Sequence, residues 1–107
     1  MKRLLALFTV LCGLAGCGPI QSTAFLLDAD VALEAARTAR AETYAPYEYT
    51  AAQLYLLKAR EEVGYSDYEV AVDFAKKASK FANEAREKAL SASANETTPP
   101  PPLPSAE

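Results

Sequence analysis

Histidine and tryptophan are absent from this 107-residue chain, and cysteine occurs only twice. Without histidine the commonest general base and the commonest transition-metal ligand are missing, which excludes a Ser-His-Asp hydrolase or a His-rich zinc site. Both cysteines, Cys12 and Cys17, fall near the N-terminus, so the rest of the chain has no disulfide and no thiol. Basic residues are outnumbered, 11 Lys+Arg against 14 Asp+Glu, and a net charge of −3 suits nucleic acid poorly. No apolar run is long enough to span a bilayer. The longest, Leu4-Leu5-Ala6-Leu7-Phe8-Thr9-Val10-Leu11, falls well short of the ~20 residues a transmembrane helix needs.

What that short run fits is a leader. Lys2 and Arg3 give a basic start, the apolar run follows, and small residues lead to a cysteine. Leu14-Ala15-Gly16-Cys17 resembles the lipobox of bacterial lipoproteins. The resemblance implies cleavage between Gly16 and Cys17, diacylglycerol on the Cys17 thiol and an acyl chain on its freed amino group. One acyl chain binds a membrane only marginally, at about 0.8 kcal/mol per buried CH₂, whereas two or three make a lasting anchor. Gly18, in place of an aspartate, resembles the default sorting to the periplasmic face of the outer membrane, a rule that depends on the organism. The alternative is an ordinary secretory leader with an incidental cysteine.

The expected organisation is a lipoprotein signal peptide at 1–16, a lipidated tether at 17–23, an alanine-rich helical domain at 24–92 and a disordered proline-rich tail at 93–107. Loss of the leader would remove two basic residues and no acidic one, leaving a more acidic chain with room for one small domain.

Beyond the tether the pattern predicts an all-α fold. From 24 to about 43 the chain is rich in Ala, Leu, Glu and Arg and free of Gly and Pro, with Ser22 or Thr23 as its cap. Leu26, Ala29, Ala32, Leu33, Ala36 and Ala39 form one apolar stripe, and Glu34 with Arg37 supports the opposite face. Ala45-Pro46 interrupts the helix and opens a second, at about 46–64, with Tyr49, Ala52, Tyr55, Leu56, Ala59 and Val63 on its apolar side. Gly64 is the expected left-handed C-cap, and Ser66 or Asp67 the cap of a third helix at about 67–92. The stripe of the third helix is Ala71, Phe74, Ala75, Ala78, Phe81, Ala82, Ala85 and Ala89. Helices two and three should form an antiparallel hairpin, preceded by the first helix, which either packs on it or only extends the tether. Alanine buries little area, so the helices must approach closely, with Tyr55, Leu56, Leu57, Phe74 and Phe81 supplying most of the apolar surface.

Ala45-Pro46-Tyr47-Glu48, then Ala52, Leu56 and Ala59, then Ser66-Asp67-Tyr68-Glu69 with Ala71, Ala75, Ala78, Ala82 and Ala85 resemble the family called domain of unknown function 4398. The resemblance covers about 33–89. It implies an alanine-rich helical segment of a bacterial envelope protein, such as often follows a lipobox, and it carries no activity with it. The turn also resembles a single tetratricopeptide-like hairpin, but no second copy of that period occurs.

No catalytic or metal-binding set emerges, and no small-molecule substrate or cofactor is indicated apart from the covalent acyl groups. Glu61 and Glu62 are adjacent and point about 100° apart on a helix, so they share no proton. Asp28, Asp30 and Glu34 lack the glycine turn of a calcium loop. No histidine can activate a serine, and no Ser-x-x-Lys is present. Tyrosine is the one unusual concentration: Tyr47, Tyr49, Tyr55, Tyr65 and Tyr68 either form a protein-binding surface or pack the corners between helices. Pro99-Pro100-Pro101-Pro102-Leu103-Pro104 suits either a solvated tail or a ligand for an aromatic groove. The glycosylation triplet Asn95-Glu96-Thr97 reads as coincidence in such a protein.

The function expected from the sequence is a lipid-anchored, non-enzymatic envelope protein that binds another envelope protein or assembles with itself. The alternative is a murein-lipoprotein-like spacer between outer membrane and peptidoglycan.

Overall fold

A computed structural model of the chain describes residues 1–6 and 18–97. The lipobox-like Leu14-Ala15-Gly16-Cys17 and the proline-rich 98–107 lie outside the described residues. Residues 2–6 are helical, and the body consists of α1 (Gly18–Thr38), α2 (Ala41–Tyr44), α3 (Pro46–Gly64) and α4 (Tyr68–Thr97). No strand occurs among the described residues. Nor is any described helix long and apolar enough to cross a membrane.

Three long helices form an up-down-up bundle. α4 is its axis and packs extensively on both α1 and α3, which touch each other less. The contacts give the directions: Gly18 lies against Tyr68, Asp28 against Ser79, and Ala36 in one cluster with Ala85 and Ala89, so α1 and α4 run parallel. Tyr49 joins the Ala85 and Ala89 cluster and Leu56 joins Ala78, so α3 runs antiparallel to α4. The first helix therefore packs on the hairpin, mainly through α4.

The seam is built from small side chains. Ser22, Ala29 and Ala36 recur every seventh residue on α1 and are buried, as are Ala71, Ala75, Ala78, Ala82, Ala85 and Ala89 on α4. With only a Cβ between backbones, the helices meet closely, and among the described residues Leu56, at 2 % exposure, is the one leucine of the buried core. Leu57, expected inside, is 53 % exposed. A helix turns about 100° per residue, so Leu56 and Leu57 cannot both point inward, and the spacing to Ala52 and Ala59 selects Leu56.

The element boundaries depart from expectation in instructive places. α1 starts at Gly18, so the expected tether beyond Cys17 is helical. Pro19 presets a helical φ, so it is compatible with helix at this position. Ser22 and Thr23 then lie inside the helix, where their hydroxyls donate to the Pro19 carbonyl at 3.0 and 2.8 Å, rather than cap it. The helix expected to reach residue 43 breaks at Arg40, which adopts φ 62° and ψ 36°. A left-handed non-glycine residue costs about 1 kcal/mol. Here the bend brings Ala41 and Ala45 into the core beside Ala36 and Tyr49, and the Arg40 guanidinium lies 5.5 Å from the Tyr44 ring centre. Ala45 is extended ahead of Pro46, and α3 opens at Pro46 as expected.

At the α3–α4 turn the left-handed residue is Ser66, φ 64°, and not Gly64, which ends α3. The Asp67 amide donates back to the Glu62 carbonyl at 2.9 Å. This 6→1 closure sets the left-handed position within the turn, two residues beyond the glycine. Asp67 is the α4 cap, its Oδ1 accepting the Val70 amide at 3.3 Å. α4 continues past residue 92 to Thr97, with Ser91 and Thr97 hydroxyls donating one turn back and Tyr44 Oη donating to Glu96 Oε2 at 2.5 Å.

Candidate functional site: an aromatic groove between α3 and α4

The five tyrosines do not form one cluster. Tyr49 is only 5 % exposed and belongs to the core with Ala36, Ala85 and Ala89, so it offers nothing to a partner. Burial, then the nearby Glu42 carboxylate, pushes its phenol above the ordinary range. Tyr65 and Tyr68 sit at the α3–α4 turn, at the opposite end of the hairpin from Tyr47. Tyr68 is half-buried because Gly18 abuts it: a Cβ on Gly18 would come within 3.3 Å of its ring. That contact gives Gly18 a packing reason to be small.

Tyr47 and Tyr55 remain, and the structure adds Phe81 and Phe74 from α4. Seven residues apart on α3, Tyr47 and Tyr55's neighbour Leu54 share a face, while Phe74 and Phe81 are seven apart on α4. Across the seam the rings form a ladder. Tyr47 meets Phe81 edge-on at 6.4 Å, Tyr55 stacks on Phe81 at 5.5 Å, and Tyr55 lies over Phe74 at 6.1 Å. Lys77 Nζ caps the lower end, 5.5 Å from the Phe74 ring centre and 5.7 Å from that of Tyr55.

Beside this ladder lies an open groove of about 680 Å³, lined by Pro46, Tyr47, Thr50, Ala51, Leu54, Tyr55, Lys58 and Phe81. Its wall is mostly apolar, with Tyr47 at 73 % and Leu54 at 59 % exposure. Aromatic rings with a wet hydroxyl beside an aliphatic floor favour extended peptide or helix faces over polar small molecules. Leu54 and Thr50 were not singled out in the sequence. The available signal was a second, narrower stripe of Tyr47, Ala51 and Leu54 beside the main one, which a single-face reading of α3 passes over.

Charged groups pair along and between the helices. Glu48, 8 % exposed in the first turn of α3, accepts from Lys88 Nζ across the seam. The Lys88 hydrogen bond, then Glu48's own amide, holds its carboxyl below the ordinary range, and Glu48 in turn raises the Lys88 ammonium. Arg60 binds Asp30 at 2.5 Å, joining α3 to α1, and Ser79 Oγ donates to Asp28 Oδ2 at 3.0 Å. Glu34 and Arg37 pair within α1, as the spacing predicted. Among the described residues no group of three acidic side chains is placed to hold a metal ion.

Another apolar surface lies on the N-terminal half of α1. Ile20, Ala24, Leu27 and Val31 share the outer face of α1 and are exposed, and Pro19, Ile20, Thr23, Ala24 and Leu27 border a shallow hollow of about 440 Å³.

A small-residue seam, a proline-opened α3 and an Asp-capped α4 define an alanine-seamed three-helix bundle. The chain belongs to the family described as Domain of unknown function (DUF4398), whose model matches residues 24–98. No curated protein and no solved structure matches it.

Proposed function

We propose that this chain is a lipid-anchored, non-enzymatic protein of the bacterial cell envelope, held at the periplasmic face of the outer membrane by acyl groups on Cys17. Its α3–α4 hairpin is a protein-interaction module. The observation that carries the reading is the groove beside Tyr47, Tyr55 and Phe81, where Tyr47 and Leu54 keep most of their surface in water. The lipobox-like Leu14-Ala15-Gly16-Cys17 supplies the location. In support, Gly18, the residue that follows Cys17, lies in α1 and packs on Tyr68. An anchored bundle would then stand with the 65–67 turn toward the lipid and the Pro46 end of the groove facing away, open to a partner in the periplasm.

A photoreactive residue placed in living cells at Leu54, with Asn83 on the far flank of α4 as reference, tests this. A discrete product containing an envelope protein is expected at Leu54 and not at Asn83. Products at neither position, or the same products at both, refute the groove as a docking surface.

A further inference from the structure

We propose that the outer face of α1 is a membrane-seating surface: Ile20, Ala24, Leu27 and Val31 rest in the phospholipid interface beside the acyl anchor, so that the bundle leans toward the membrane on α1. The proposal rests on the anchor at Cys17 and adds to it a second, non-covalent contact with the same leaflet.

The first observation is that α1 has two apolar faces. Ser22, Ala29 and Ala36 line the one that packs in the bundle, and Ile20, Ala24, Leu27 and Val31, spaced by four, three and four residues, line the opposite one. Ile20, Leu27 and Val31 are 78, 63 and 61 % exposed, so three aliphatic side chains in one line keep most of their surface in water. The outer face of a surface helix is ordinarily polar. This one is not.

The second is where this face begins. Cys17 is joined to Gly18 by one peptide bond, so its Cα lies about 3.8 Å from that of Gly18. Acyl groups on Cys17 hold Gly18 at the lipid boundary, and the hollow bordered by Pro19, Ile20, Thr23, Ala24 and Leu27 starts at the next residue. The exposed apolar line therefore opens where the chain is already tethered. A short tether gives a high effective concentration, so weak apolar contacts with lipid suffice.

The third is charge. Between Gly18 and Val31 the only charged residues are Asp28 and Asp30, and both are drawn off the outer face. Asp28 accepts from Ser79 of α4 at 3.0 Å, and Asp30 pairs with Arg60 of α3 at 2.5 Å. The next charges, Glu34 and Arg37, pair with each other just beyond Val31 and close the stripe. The turn at the foot of the bundle differs, with Glu62, Asp67 and Glu69 around it. Contact through α1 buries uncharged surface, whereas contact through the turn sets carboxylates against headgroup phosphates, which repel them. A bundle resting on the outer face of α1 also leaves the groove on α3 and α4 open.

The test uses the mature acylated chain with Val31→Cys or Leu54→Cys carrying an environment-sensitive fluorophore, in vesicles of phosphatidylethanolamine and phosphatidylglycerol that contain a spin-labelled lipid. With Cys12 cleaved off and Cys17 acylated, the introduced cysteine is the only free thiol. The two positions are similarly exposed, at 61 and 59 %, and stand at about the same level, because Asp28 meets Ser79 and Leu54 shares the groove wall with Phe81. In an upright bundle Val31 stands about 20 Å above Gly18, out of reach of the lipid label. Seated, it lies in the boundary between headgroups and acyl chains, so its fluorophore is expected to emit to the blue and to be quenched about threefold more than that at Leu54. Ile20→Gln with Leu27→Gln, both at exposed positions, should bring Val31 to the Leu54 level while the chain still floats with the vesicles. Equal quenching at the two positions, stronger quenching at Leu54, or a difference that survives the glutamines would overturn the proposal. A blue shift at Val31 without lipid quenching, growing with the ratio of protein to lipid, would assign the face to a second copy and overturn it too. Each of these leaves the anchor in place, because the chain still floats. A chain neither acylated nor floated overturns the anchor, and this proposal with it.

Discussion

Leu56→Ala is the substitution whose cost the fold fixes most tightly. Leu56 is 2 % exposed and lies against Ala29 and Ala78, with Leu26, Leu33 and Tyr55 around it. Its two buried neighbours, Ala29 and Ala78, are alanines with no long side chains to swing into the space, and Leu26, Leu33 and Tyr55 border it from partly exposed positions. Removing three carbons forfeits about 2 kcal/mol of transfer free energy, and the uncollapsed cavity raises the loss to about 3 kcal/mol. A domain of this size has a total stability of about 4–12 kcal/mol, so the loss is a large fraction of it and lowers Tm by about 15 °C. Leu57→Ala, one residue on and 53 % exposed, should cost less than about 0.5 kcal/mol. Urea unfolding of the Cys17→Ser chain followed by helical circular dichroism measures both. Equal losses, or a Leu56→Ala loss below about 1 kcal/mol, would refute the register of α3 and the close seam that depends on it.

The other predictions concern the seam, the turn and the ion pairs. Ala82 is fully buried between backbones, so Ala82→Leu should destabilise by about 2 kcal/mol through overpacking, and an unchanged urea midpoint would contradict the close approach of α4. Ser66 holds φ 64°, so Ser66→Gly should raise stability by about 0.5 kcal/mol; Gly64→Ala, whose Cβ meets no atom within 4 Å, should do the same, and a loss in either variant would count against the turn. Stability should also be flat at neutral pH and fall on both sides. The depressed Glu48 carboxyl contributes above its ordinary value of 4.5 and loses that contribution as pH drops through its folded value. The raised Lys88 ammonium and the raised Tyr44 phenol contribute below 10.5 and 10.0 and lose it as pH climbs through theirs. Glu48→Gln should flatten the acid limb in thermal melts across pH, and an unaltered acid limb would remove Glu48 from the account.

Much of the bundle was legible because alanine at spacings of three, four and seven has one meaning on a helix. Ala71 to Ala89 on α4 and Ala29 and Ala36 on α1 all went inside as read. Ala45-Pro46 and Asp67 marked real boundaries because each acts through its own local backbone chemistry. What escaped depends on contacts distant in sequence. Nothing in Ala39-Arg40-Ala41 announces a left-handed residue; the bend exists because Ala41 and Ala45 gain burial against α4. Gly64 looked like the left-handed cap, yet closure from Asp67 to Glu62 moved that position to Ser66. The tyrosines illustrate the same limit. Composition grouped Tyr47, Tyr49 and Tyr55, but one residue of helical rotation separates a core Tyr49 from the groove, and the groove itself needed Phe81 from another helix.

The anchor is the claim on which the envelope reading stands, and the direct measurement is the intact mass and membrane fraction of the protein in a diderm bacterium, with Cys17→Ser alongside. The account predicts a wild-type chain that begins at Cys17, carries the mass of diacylglycerol plus an acyl chain, and fractionates with the outer membrane, while Cys17→Ser is neither cleaved there nor acylated. A wild-type chain cleaved elsewhere, unacylated and free of membranes would contradict it.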